Sequence, residues 1–562
     1  YLPFVKEARP ELAQVGFYGA HYWSLAHTKH GGGYPAHFPK IGLAENRAWL
    51  KQRNKDLHKL NTLVVGHFNI EFLVGDPKGK DGPRGFFKFY HDLWDEKLLG
   101  PKPVKDPLEL LEKNTDGTPI QNNSYSIGGM REYWACLNNP HWRRVLKAWV
   151  RHGIAQGLDG FMINYFYRHN CLCEHCQDRF RAYLGERFTA EELKSKFEIG
   201  NLATHKFAEI GAWHDPKKST LFKREQLRFS QMATKECFDE VFVKYGRTLK
   251  PGLIVGQWNH LGNFNQINGD ERCLLPKELW AKDEDYLWYS TGGSAFYTDL
   301  KKGSLGEGTL QARYLRGATG GKPFTLGKYE STRTRAAIAE LAANGGVPMG
   351  FYTRFTNPEA RKVITQYYNF IRKHDTIYRH NTSHAEAVLL FPRKAVHMGD
   401  VDAVAKFRKT GRALLESHVL FDILPDDIAT PEQLSTYQKV YRPGDKAVKG
   451  VTRFTAPRTV RVSANRPAKG DTLHLHFVNY NRTEPAKPKS AGGGIHDEKP
   501  ISVSGIQCAV PLPQGSKLKA ARFFTPEKES GVELQVEIHG DKARFTLPQF
   551  LVYGVAELEW SR

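Results

Sequence analysis

Three thiols, Cys171, Cys173 and Cys176, follow a short apolar run at C-x-C-x-x-C spacing, and no other part of the chain declares its chemistry as plainly. Thiols this close in sequence rarely reach disulfide geometry, so metal ligation is the natural reading. Zinc takes four tetrahedral ligands, and the fourth must come from elsewhere. The nearest upstream thiol is Cys136, after the aromatic pair Tyr133-Trp134, and His175 or His169 are substitutes. Four thiolates would close the coordination sphere and leave no position for an activated water, so such a zinc would be structural. The blander alternative is a loop of three reduced or partly paired cysteines.

The run before these thiols carries a second cluster. Asp159-Gly160 opens a strand whose apolar core is Phe161-Met162-Ile163, and Asn164, Tyr165, Tyr167, Arg168 and His169 crowd its C-terminal end. Polar and aromatic groups gathered where a strand leaves its sheet are what a ligand site in an α/β protein looks like.

Other predicted strands end the same way. The apolar runs 15–20, 62–68, 131–136, 160–164, 253–258, 286–289, 324–329 and 347–352 alternate with helical stretches, which fits a (β/α)8 TIM barrel over residues 1–382. One rim of that barrel would collect His21, Tyr22, Trp23, His67, Asn69, Glu71, Asn164, Tyr165, Trp258, Asn259, His260, Tyr329, Glu330 and Tyr352. The loop NQINGDER adds two carboxylates, Asp270 and Glu271.

After the barrel the pattern changes. Residues 383–445 read as a reduced flavodoxin-like α/β domain: AVLLFPRKAV, a helix over 401–417, HVLFDILPDDI, and an abrupt end after Lys439-Val440-Tyr441. Residues 446–562 alternate apolar and polar positions between Pro and Gly turns, which predicts an antiparallel β-sandwich.

The formal charge is +21, from 81 basic and 60 acidic residues, and it biases the surface toward anions. Nucleic acid is set aside as a partner, because no helix-turn-helix, RNP or zinc-finger pattern occurs and the basic residues are dispersed. No apolar run approaches the roughly 20 residues of a membrane span, so no membrane partner is expected either. Aromatic residues make up 12% of the chain, and aromatic faces beside cations suit sugar rings bearing carboxylate or sulfate. A basic surface serving solubility alone is the competing account. Cys237, Cys273 and Cys508 are scattered and read as packing residues. The chain begins at Tyr1, as a trimmed mature chain would, so a secreted or periplasmic location is expected, with a cytoplasmic one as the alternative.

The domain order and the motif CLCEHCQDRFRAYL after the predicted fourth strand resemble glycoside hydrolase family 42, the barrel β-galactosidases with a trimerisation domain, and related uncharacterised glycosyl-hydrolase-like proteins. The likeness extends over most of the chain at the level of domain order. It implies zinc held by Cys136, Cys171, Cys173 and Cys176, no organic cofactor, a carbohydrate substrate, and a homo-oligomer, dimer or trimer. It also implies a retaining hydrolase with an acid/base glutamate in an Asn-Glu pair at the end of strand four and a nucleophile at the end of strand seven. Glu330, in LGKYES, matches the second position. The first is Asn164-Tyr165, so the carboxylate that should protonate the leaving oxygen is absent.

Retention requires two carboxylates about 5 Å apart and inversion roughly 6.5–9.5 Å. With Glu330 as one, the second proton-transfer group must be Tyr165, His169, Asp270, Glu271 or Glu71. Three functions fit these residues: a glycoside hydrolase on a poly- or oligosaccharide, acidic glycans included; a polysaccharide lyase in which a Tyr/His pair removes the C5 proton of a uronic acid; and a glycan-binding pseudo-enzyme.

Overall fold

The computed structural model describes residues 2–18, 43–127, 129–164, 170–208, 220–260, 282–290, 300, 305–329, 333–347, 351–352, 358–398, 400, 402–483 and 499–561. Among them a seven-stranded sheet forms the scaffold: β1 (Leu12–Tyr18), β2 (Leu63–Asn69), β3 (Gly160–Asn164), β4 (Ile254–His260), β5 (Leu287–Ser290), β6 (Phe324–Tyr329) and β7 (Phe351–Tyr352), in that order. Every neighbouring pair is parallel. Sequential order with parallel pairing is the construction of a (β/α) barrel wall, and the described strands form a partial barrel.

Burial on both faces explains the strand sequences. In β2, LVVGHFN, all but the first residue are buried, and all five residues of β3, GFMIN, are buried, so they read as nearly continuous apolar runs. Successive side chains alternate between faces. Phe68 and Phe161 face the helices, where both pack edge-on against Phe242 and both meet Phe17. The opposite, inner face carries Met162, Trp258 and Trp288, which form a small core of their own with Tyr286 against it.

The run at 131–136 is not a wall strand, and this corrects the eight-strand expectation. Met130–Trp134 lies in a separate antiparallel sheet with Phe72–Asp76, Arg84–Gly85 and Gln121–Ile127, pairing Phe72 with Trp134. The cause is a turn at the end of β2. The Asn69 side chain accepts hydrogen bonds from the backbone N–H of Glu71 (3.3 Å) and Phe72 (3.0 Å), an Asx-type reversal that sends the chain out of the wall. The wall steps directly from β2 to β3, with Val65 opposite Gly160 and Asn69 opposite Asn164. The cysteine-rich loop therefore follows the third described wall strand rather than the fourth.

Beyond the wall, Ala387–Phe391, Phe421–Pro425 and Lys439–Tyr441 make a three-stranded parallel sheet with the helix Asp402–Glu416 between its first two strands, a small α/β unit. The C-terminal region packs a six-stranded antiparallel sheet against a four-stranded one, and both contribute to one core through Val462, Leu475, Phe477, Val510 and Phe545. One strand of the larger sheet, Asn381–Ser383, precedes the α/β unit in sequence and pairs with Val460–Pro467. Arg313, on the barrel helix Glu307–Ala318, joins all three regions: it donates to Asn344 Oδ1, the carbonyls of Phe421 and Val462, and Ser463 Oγ, at 2.9–3.1 Å. No helix of the described residues is long and apolar enough to cross a membrane.

Gly327 in β6 shows how tightly the inner layer is built. A Cβ there would lie 2.2 Å from the Trp288 indole, so only glycine lets that ring lie across the strand. Gly327→Ala is expected to displace Trp288 and cost about 1–3 kcal/mol, the usual range for overpacking. Chemical denaturation with near-UV circular dichroism checks this, and an unchanged stability and aromatic spectrum would contradict the packing described.

Candidate functional site

Two constructions bring the cysteines together. The antiparallel excursion delivers Cys136, two residues past Trp134, with its N–H bonded to the Leu110 carbonyl (2.8 Å). The segment after β3 returns along the same excursion, where Leu172 N–H bonds to the Lys113 carbonyl (2.9 Å), and it enters the helix Glu174–Arg187 with Cys173 at the N-cap and Cys176 in the first turn. The four sulfurs lie within 4.8 Å of one another. Cys136 Sγ is 3.4 Å from Cys176 Sγ and 3.7 Å from Cys173 Sγ. A disulfide needs about 2.05 Å, whereas a tetrahedron of sulfurs at about 2.3 Å from zinc sets them roughly 3.8 Å apart. Donors are already aimed at the sulfurs: Lys113 N–H (3.3 Å) and Cys173 N–H (3.4 Å) at Cys171, and the Asn138 amide (3.3 Å) at Cys176. Such donors stabilise thiolates, as ligand-orienting neighbours do around known metal sites.

The electrostatics favour a cation. Burial pushes the Cys136 and Cys176 thiols well above the usual range, while hydrogen bonds from Cys136, Cys171 and Cys176 pull Cys173 far below it. A divalent ion among these buried sulfurs would favour their ionisation together. These four cysteines can hold a metal such as zinc. His175 is not among the clustered donors, and His169 lies outside the described residues.

The mouth of the wall is the second construction. Asn164 is fully buried, and its side-chain amide nitrogen lies 3.1 Å from His67 Nε2, within hydrogen-bond distance. Trp258 meets His67 edge-on at 5.2 Å and overlaps Trp288 at 3.7 Å between ring centroids. Trp258 is 1% exposed and belongs to the buried inner layer with Met162 and Trp288. Glu71 is buried, and its charge, with that of Glu240, helps raise the Cys237 thiol to about 12, although burial is the larger cause.

The strand ends of the expected rim are present at Asn259, His260, Tyr329 and Tyr352. His21, Tyr22, Trp23, Tyr165, Tyr167, Arg168, Asp270, Glu271 and Glu330 lie outside the described residues. Sequence reasoning missed Trp288, whose place was readable from its alternation with Tyr286 and Leu287. It also missed Lys113 and Asn138, whose proximity to the thiols is tertiary and has no sequence signal.

No family model matches the chain. β-Galactosidase BgaB of Geobacillus sp. (strain Y412MC61) is 24% identical over 245 residues, 41% of this chain and 34% of that protein. The β-galactosidase of Geobacillus kaustophilus is 23% identical over 246 residues, again 34% of its length. The chain thus spans about a third of the length of the curated relatives it matches. Similar solved structures include Gan42B, a GH42 β-galactosidase from G. stearothermophilus (TM-score 0.60, 11% identity, 99% of this chain and 95% of that one). The α-L-fucosidase isoenzyme 2 of Paenibacillus thiaminolyticus is comparable (TM-score 0.59, 13% identity, 100% and 96%). Over two-fifths of its length the chain is thus similar in sequence to Geobacillus β-galactosidases, and over almost all of it the fold is similar to that of a GH42 β-galactosidase.

Proposed function

We propose that the chain is a glycoside hydrolase acting on an oligo- or polysaccharide whose sugars carry uronic or sulfate groups. The observation that carries this reading is the polar and aromatic layer His67, Asn164, Trp258 and Trp288 at the C-terminal ends of a parallel wall, where barrel enzymes place their chemistry. Glu330, the residue after β6, is the nucleophile: its carboxylate bonds to the anomeric carbon as the glycosidic C–O bond breaks, and water later releases the sugar. In the sequence, Asn164-Tyr165 matches the family's Asn-Glu pair, without its glutamate. The leaving oxygen therefore takes its proton from a recruited group, Tyr165, His169, Asp270 or Glu271. Zinc bound by Cys136, Cys171, Cys173 and Cys176 pins the segment after β3 to the antiparallel excursion and has no part in the reaction.

Digestion of neutral, uronic and sulfated oligosaccharides tests the reading. New reducing ends support it; an unsaturated product absorbing near ~235 nm, expected from elimination at a uronic acid, would replace it with a lyase. The acidic preference makes its own prediction: KM for a uronic or sulfated substrate is expected to rise severalfold between 50 mM and 500 mM salt, because the screening length shrinks from about 14 Å to about 4 Å over that range. Salt-insensitive turnover of a neutral galactoside, with no turnover of acidic ones, would make the charge incidental.

A further inference from the structure

The helix Pro140–Ala155 presents Arg144, Lys147, Ala148 and Arg151 on one face, at helical spacings of three, four and seven residues. This face lines a surface cavity of about 260 Å³, walled on one side by Trp94, Pro101 and Pro103 and on the other by Tyr245. Among the described residues no carboxylate lines it. Arg144 and Arg151 are exposed, and among the described residues neither pairs with an acid; Arg151 Nη1 reaches only the Tyr245 hydroxyl, at 3.5 Å. Lys147 sits 5.7 Å from the Tyr245 ring and is partly neutralised by Glu240, 2.6 Å away. Trp94 is half-buried, and its indole N–H donates to the Gly100 carbonyl (2.8 Å).

The geometry points to a second saccharide site here, apart from the barrel mouth, for a sugar chain bearing carboxylate or sulfate groups. A guanidinium binds either group through paired N–H donors, and Lys147 adds a point charge. The two arginines are separated by about 10.5 Å along the helix, so they meet charges on different sugars of a chain rather than on one ring. Aromatic and proline faces suit the apolar side of a pyranose. The volume lies just below the usual range of ligand pockets, about 300–1,000 Å³, which fits one or two rings better than a folded partner. Such a site would hold a polymeric substrate on the enzyme between cleavages.

The test uses the full chain and its Arg144→Gln/Arg151→Gln variant, probed with an oligogalacturonate tetramer, a sulfated galactan tetramer and a neutral galactan tetramer. Hydrogen exchange should show protection of segments 94–104 and 144–151 by the acidic tetramers only. In the variant that protection should vanish, and affinity at this site should fall about tenfold or more, as expected for losing two charge-assisted contacts. Melting temperature and turnover of a small aryl glycoside should not change. Protection by one acidic tetramer alone supports the site and names the acid it takes. The inference is overturned if these segments are not protected, if the neutral tetramer protects them equally, if an oligonucleotide of equal charge competes as well, or if the variant binds unchanged. Should the Gln variant fold poorly, Arg144→Lys/Arg151→Lys keeps the charge and is expected to show partial loss. None of these outcomes depends on Glu330.

Discussion

Glu330→Gln is expected to lower kcat/KM by roughly 10³-fold or more on every substrate the protein turns over, since an amide cannot form the glycosyl intermediate. The contrast with Tyr165→Glu makes this more than a loss-of-function result. That substitution restores the carboxylate that the family places beside the strand-end asparagine, and positioned general acids contribute about 10²–10⁴-fold. The gain should appear on alkyl glycosides, whose leaving oxygen must be protonated, and be small on dinitrophenyl glycosides, whose leaving group departs as an anion. Steady-state kinetics on matched aryl and alkyl pairs checks both. Equal gains on the two substrates, or full activity in Glu330→Gln, would show that the roles are misassigned.

Cys173→Ser is expected to release the metal and destabilise the barrel. Protein purified without chelator should carry one zinc per chain, and the variant close to none. Loss of a structural metal belongs to the large class of single-residue effects, on the order of 4 kcal/mol, which lowers the melting temperature by roughly 5–10 °C. The mechanism is local: Cys136 and Cys176 are buried and 3.4 Å apart, and without a cation they cannot ionise together. The segment between β3 and the helix Glu174–Arg187 would then lose its anchor at Lys113, whose N–H and carbonyl meet Cys171 Sγ and Leu172 N–H. Asn138→Ala, which removes a hydrogen bond to Cys176 and one accepted from Arg179 (2.6 Å) but no ligand, should lose zinc to a chelator faster and cost about 1–3 kcal/mol, less than loss of the metal. Full metal content and unchanged melting in Cys173→Ser would refute the site.

The wall strands were legible because burial on both faces writes itself into the sequence as apolar runs such as LVVGHFN and GFMIN. Met130–Trp134 has the same local character, and nothing in its own residues says which strand it pairs with. The deciding group is Asn69, far upstream, whose side chain turns the chain back before Phe72. The thiol cluster was legible from residue type and spacing alone for Cys171, Cys173 and Cys176. Cys136 entered only as one of several candidates until the family likeness singled it out, because 35 residues separate it from Cys171 and only the fold closes that gap. The His67–Asn164 pair shows the same limit: both residues were expected at the rim, but their contact depends on the register between two wall strands, which no single-strand pattern contains.

Covalent trapping reaches the central claim most directly. A 2-deoxy-2-fluoro glycoside with a dinitrophenyl leaving group, matched to the sugar found by the substrate panel, needs no protonation to react and leaves a slowly hydrolysed glycosyl-enzyme, which peptide mass spectrometry locates. The expected result is one sugar attached at Glu330 and none in Glu330→Gln. A label on another residue, or a protein that turns over glycosides while Glu330 stays unlabelled, would contradict the account.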